Sequence, residues 1–183
     1  MTYRSSTAGL SMAPVDHLDV HLERIAEVPG CLVVRLKGYL DTYNGYQFQR
    51  QMESLVGNGC TRLVFDLSGL TYISSGPIAA FLDLLKQVKS EGGDVVLASM
   101  PPRVMEVFDL LGLAGFFRVA GRVAEGVGLF DRDPQVPEAP FQQMDAITGS
   151  FRRLEALVST EDQPSFYAEL VALLKMIDEL KRA

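Results

Sequence analysis

The stretch from Thr61 to Ala98 changes its hydrophobic period twice, and this constrains the fold more than any other feature. TRLVFDL (61–67) is β-branched and apolar, as a buried strand is. Ile78 to Val88 then repeats apolar residues at 78, 81, 82, 85 and 88, one face of a helix, and Gly92-Gly93 closes it. DVVLA (94–98) returns to strand character. Strands joined through a helix in this way belong to a sheet with crossover connections, right-handed wherever the strands run parallel.

The flanking segments extend the alternation. His17 to Ala26 alternates apolar and polar residues, Val28-Pro29-Gly30 turns the chain, and CLVVRL (31–36) is a second strand that Gly38 is expected to end. The pair is expected to form an antiparallel hairpin. Asn44 to Val56 sets Tyr46, Phe48, Met52, Leu55 and Val56 at helical spacing before Gly57-Asn58-Gly59 stops it. Pro101-Pro102 opens a third helix that ends at Gly112, and Phe116 to Val119 is a short last strand. The expectation is an α/β domain over residues 16–131, built on a mixed β-sheet with crossover helices.

Residues 1–15 carry no period and are expected to be a disordered lead-in. Residues 132–140 include the proline-rich DPQVPEAP and read as a linker. Over residues 141–183, Met144, Ile147, Phe151, Leu154 and Val158, then Phe166, Leu170, Leu173, Leu174, Ile177 and Leu180, recur at steps of three and four. These predict a C-terminal hairpin of two amphipathic helices, each too short to stand alone in water. Their apolar stripes pack either on the chain's own domain or on a second copy or partner, as in a homodimer through these helices.

A net charge of −6 offers no basic footprint for nucleic acid or anionic lipid, and no apolar run approaches a membrane span. Cys31 and Cys60 form neither a C-x-x-C pair nor a metal cluster, so a cytoplasmic protein without metal or cofactor is expected.

LTYISSGPIAAFL (70–82) places Ser74 and Ser75 at a strand-to-helix junction, with Ser75 the candidate N-cap and Pro77 in the first turn. Capping is worth about 1 kcal/mol and accounts for one hydroxyl, not two. As a hydrolytic nucleophile Ser75 lacks a base, since the only histidines are His17 and His21 on the first strand, and no G-x-S-x-G elbow is present. A phosphate cradle lacks the Walker pattern. A phosphorylation switch needs only an exposed hydroxyl where about −1.5 to −2 charges can be added. No catalytic residue is therefore expected.

GYLDTYNG (38–45), LVFDLSGLTYISSGPIAAFL (63–82), GGDVVLASMPPRVMEVFDLLGL (92–113) and the following FFRV together resemble a STAS domain, the family of anti-sigma factor antagonists in bacterial partner switching. The resemblance implies Ser75 at the phosphoacceptor position, Ser74 where the family usually has aspartate, Gly76 beside it, and Pro77 at a usual glycine. Asp41 matches a family aspartate close to the phosphosite. It implies an anti-sigma factor of serine-kinase fold as partner, bound through Asp41, Ser74, Ser75 and Gly76, with a PP2C-type phosphatase reversing phosphorylation. Within the same fold, the alternative is a non-phosphorylated scaffold subunit of a signalling or lipid-transport assembly.

Overall fold

The computed structural model describes residues 10–11, 18–132, 141–158 and 163–182. The expected lead-in, apart from Leu10–Ser11, and the 133–140 part of the expected linker lie outside these residues, as does His17. In chain order the elements are β1 (Leu10–Ser11), β2 (Leu18–Arg24), β3 (Cys31–Leu40), α1 (Thr42–Gly57), β4 (Arg62–Ile73), α2 (Ser75–Ser90), β5 (Asp94–Ala98), α3 (Pro102–Leu110), β6 (Arg118–Ala120), α4 (Val123–Arg132), α5 (Phe141–Val158) and α6 (Gln163–Arg182). A single 3-10 turn, Leu113–Gly115, follows α3.

One mixed sheet runs β1-β2-β3-β4-β5-β6, antiparallel through β3 and parallel from β3 to β6. The expected hairpin is β2–β3, and the expected alternation supplies the parallel half. Alternation along β3 and β4 sends Leu32, Val34, Leu63 and Phe65 to a core shared with α1, α2 and α3. Val33 and Val64 face a smaller core closed by Val127 and Phe130 of α4. Sequence reading does not anticipate α4, because Gly126 and Gly128 depress its helical propensity. Tertiary packing outweighs that cost: Gly126 lies so close to Val64 and Val96 that a Cβ there would stand 3.0 Å and 3.1 Å from their methyl groups.

Two strands run past their expected ends. Gly38 does not terminate β3; it sits at φ +109° in a bulge, and β3 continues to Leu40. Across the bulge β4 continues from Leu67 to Ile73, with Lys37 opposite Gly69 and Leu40 opposite Ile73. This extension carries the chain to the serine pair.

Helix α2 is buried almost all round, from Pro77 through Ile78, Ala79, Ala80, Phe81, Leu82, Leu84 and Leu85 to Val88. A helix apolar on every side needs cover on every side. The sheet and α1 supply part of it. The remainder comes from α5, whose Ile147, Phe151 and Leu154 join the main core with Leu173 and Ile177 of α6. Asp83 pairs with Arg152 and Lys86 with Asp145 along the seam. The extension thus folds back on its own domain, while Leu174 of the expected stripe stays exposed. The side chains of Met144, Val158, Phe166 and Leu180 lie outside the described ones.

Both cysteines are buried free thiols, and burial pushes Cys31 up to about 12. No described helix is long and apolar enough to cross a membrane.

If α5 is integral to the core, Phe151→Ala should lower unfolding free energy in urea by about 3 kcal/mol, the usual cost of emptying a buried phenylalanine site. Solution mass should not change. A loss below about 1 kcal/mol would mean that α5 is peripheral.

Candidate functional site

The parallel strands β3 and β4 end side by side, and the backbone N–H of Ser74 donates to the Leu40 carbonyl at 3.0 Å. Each strand passes at once into a helix, so α1 and α2 begin next to each other. Asp41 is the N-cap of α1: its Oδ1 accepts from the backbone N–H of Tyr43 at 2.9 Å and of Asn44 at 3.2 Å. Asn44 Oδ1 accepts in return from Asp41 N–H at 2.9 Å, completing a reciprocal capping box. The Asn44 amide also donates to the Tyr39 carbonyl at 2.8 Å, pinning the start of the helix to the end of β3. Asn44 escaped sequence reading, although the D-x-x-N spacing from Asp41 was its signal.

The second junction differs from expectation. Ser74, not Ser75, is the N-cap of α2, and its side chain caps nothing. The Ser74 hydroxyl oxygen is buried with no hydrogen-bond partner among the described residues. Ser75 is the first helical residue and is half-buried. As the first two residues of α2, Ser75 and Gly76 have peptide N–H groups with no intrahelical acceptor, whereas Pro77 has no N–H to offer.

Pro77 is itself buried against α1. A Cβ on Gly45 would stand 2.8 Å from the Pro77 ring, so a glycine at 45 lets the two helix starts meet. Beside this contact lies a groove of about 280 Å³, lined by residues that include Thr42, Tyr46 and Gln49 of α1, Gly76 and Ala80 of α2, and Arg152 of α5. Tyr46, expected on the buried face of α1, is exposed on the rim. Burial lifts the Asp83 carboxyl above its ordinary range, and the Arg152 guanidinium only partly offsets this.

Asp41, Ser74, Ser75 and Gly76 thus meet at one end of the sheet. His21 sits mid-β2 opposite Arg35, with β3 between its strand and β4, so it is no base for Ser75. Among the described residues, no group of three or more histidine, cysteine, aspartate or glutamate side chains is arranged to hold a metal ion. The site offers a hydroxyl, a helix start with free donors and an open groove, all suited to contact.

The STAS domain family model matches residues 24–126. BtrV of Bordetella bronchiseptica, a provisional anti-sigma factor antagonist, is 34% identical over 94 residues, covering 51% of this chain and 81% of that protein. The anti-sigma-B factor antagonist of Bacillus subtilis is 26% identical over 94 residues, covering 51% and 85%. Among solved structures, an anti-sigma factor antagonist from Mycobacterium paratuberculosis superposes with a TM-score of 0.56 at 17% identity, covering 64% of this chain and 97% of that one. The Bacillus cell fate determinant SpoIIAA in its phosphorylated form superposes with a TM-score of 0.50 at 21% identity, covering 60% and 97%. These two show the same fold.

The two caps should respond differently to truncation. Asp41→Ala removes both bonds to the α1 amides and should cost about 1 kcal/mol in urea unfolding. Ser74→Ala breaks no bond and removes a buried unpaired hydroxyl, so stability should hold or rise. A cost of about 1 kcal/mol at Ser74 would show that its hydroxyl does cap α2 in solution.

Proposed function

Because the chain belongs to the STAS domain family, we propose that it is an anti-sigma factor antagonist of bacterial partner switching, binding an anti-sigma factor of serine-kinase fold through the surface around Asp41, Ser74, Ser75 and Gly76. Ser75 carries the reading: it is the first residue of α2, half-buried, beside the capped start of α1. Unmodified, it lies within a contact surface. Kinase transfer of the γ-phosphoryl group of ATP to the Ser75 oxygen, with loss of the hydroxyl proton, adds about −1.5 to −2 charges there.

The two ends of the exchange have different energetics. In the free protein the phosphate faces the positive start of α2, which tolerates it. In the complex the same charge is desolvated, and a contact surface accepts that only at a cost of several kcal/mol. Modification therefore ends binding without unfolding the chain. A PP2C-type phosphatase restores the hydroxyl by hydrolysis, and the cycle belongs to the cytoplasm, where ATP and sigma factors meet. The likeness to BtrV and to the Bacillus subtilis antagonist supports the binding role.

One observation favours a second reading, a non-phosphorylated scaffold subunit of a signalling or lipid-transport assembly. Pro77 is wedged on Gly45 and supplies no N–H to a phosphate. In that role the exposed Val171 and Leu174 of α6 are a contact for a second copy of the chain.

Calorimetry with purified serine-kinase-fold anti-sigma factors of the same host, together with mass spectrometry after incubation with ATP, separates the readings. Ser75→Ala should bind as the unmodified chain does, and Ser75→Asp at least about tenfold more weakly. Equal affinities, or a chain that binds but acquires no phosphate at Ser75, would leave the scaffold.

A further inference from the structure

We infer that one buried water molecule joins the Asp94 carboxylate to the Arg118 guanidinium, and that this bridge fastens β6 and α4 to the sheet at the end away from Ser75. Asp94 opens β5, Arg118 opens β6, and Lys89 lies in the last turn of α2. Asp94 is the register partner of Arg62, the first residue of β4, whereas Ser75 follows the last residue of that strand. The side chains of Asp94, Lys89 and Arg118 are 1%, 7% and 21% exposed, in that order. One carboxylate is thus buried with two cations.

The two carboxylate oxygens are served unequally. Asp94 Oδ1 accepts from the Val95 backbone N–H at 2.8 Å and has the Lys89 ammonium 3.3 Å away. Asp94 Oδ2 faces Arg118 Nη1 at 3.9 Å, beyond hydrogen-bond distance. Both of these atoms are buried, and neither has a hydrogen-bond partner among the described residues. Gln51 Oε1, Ser74 Oγ and Thr148 Oγ1 share that condition, but they belong to neutral groups. Only the Asp94 and Arg118 pair sets a charged acceptor against a charged donor, and charged groups are the most costly to bury unbonded.

The charges on either side select what bridges them. An anion there meets the Oδ2 charge, and a cation meets the Arg118 guanidinium. A neutral molecule that donates to the carboxylate and accepts from the guanidinium suits both, and beside a side chain only 1% exposed that molecule is water. A water oxygen about 2.8 Å from each atom makes both bonds across the 3.9 Å separation. Such a mediated bond is nearly as favourable as a direct one.

Arg118 also carries the connection onward. Its Nη2 donates to the Leu129 carbonyl at 3.5 Å, in the last turn of α4, where a cation meets the negative end of a helix. The two elements it reaches have little local support. Strand β6 has three residues and joins the sheet through β5 alone, and Gly126 and Gly128 weaken α4. The water fixes Arg118 to the sheet through Asp94, and Arg118 holds the end of α4.

A crystal structure of the full chain should show one water within about 3.2 Å of both Asp94 Oδ2 and Arg118 Nη1. A guanidinium bonded directly to Oδ2, or no density between the two groups, overturns the inference. In solution, oxygen-17 relaxation dispersion counts long-lived internal waters. Arg118→Met keeps a flexible unbranched side chain without a donor, so it should hold one such water fewer than the parent. Amide hydrogen exchange in this variant should be about tenfold faster in β6 and α4 and unchanged in β3. Equal water counts, or unchanged exchange in β6 and α4, would show that no bridge fastens this edge. The crystallographic arm uses only the parent chain and decides the matter even where Arg118→Met does not fold.

Discussion

Three phenylalanines set the geometry on which the site depends. Phe65 of β4 meets Phe81 of α2 edge-on at 4.8 Å between ring centroids, and Phe48 of α1 lies 5.5 Å from Phe81 and 6.2 Å from Phe65. Such pairs contribute about 0.5–1.5 kcal/mol each beyond their burial. Their larger effect is positional. They lock α1 and α2 together on the strand that precedes α2, so the two helix starts meet at the ends of β3 and β4. The capping box at Asp41 and the Gly45–Pro77 contact then set the local detail.

That end of the sheet differs from the remainder in what it exposes. The parallel strands bury both faces, and their side chains are committed to packing. Beyond the bulge at Gly38 the strands leave the cover of α4, and Tyr39 and Tyr72 stand in solvent. The bulge therefore separates a structural half of β3 and β4 from a presenting half. In the proposed switch, Ser75, two residues after that half, needs no catalytic apparatus, only a surface whose affinity changes with charge.

The α5–α6 extension lies outside the residues matched by the STAS family model, yet α5 is continuous with the main core. It covers the flank of α2 left open by the sheet and α1, and it sends Arg152 to the groove beside Gly76. Stability and the shape of the groove beside Ser75, where docking is proposed, are thus linked through one helix. Asp83, whose carboxyl burial lifts above its ordinary range, pairs with Arg152 at that junction.

The periods of TRLVFDL, Ile78–Val88 and DVVLA were sufficient by themselves for an α/β sheet with crossover helices, because side-chain spacing follows directly from backbone geometry. The motifs LTYISSGP and GYLD singled out Ser74, Ser75, Gly76 and Asp41, and the structure brings these four to one end of the sheet. Strand ends at Gly38 and Leu67, helix α4 and the cap of α2 were decided by tertiary structure, since a glycine reads as a stop unless a neighbouring strand shows it to be a bulge. Which surface covers the C-terminal stripes was also decided there: periodicity states that an apolar face must be buried, but only the packing around α2 specifies where.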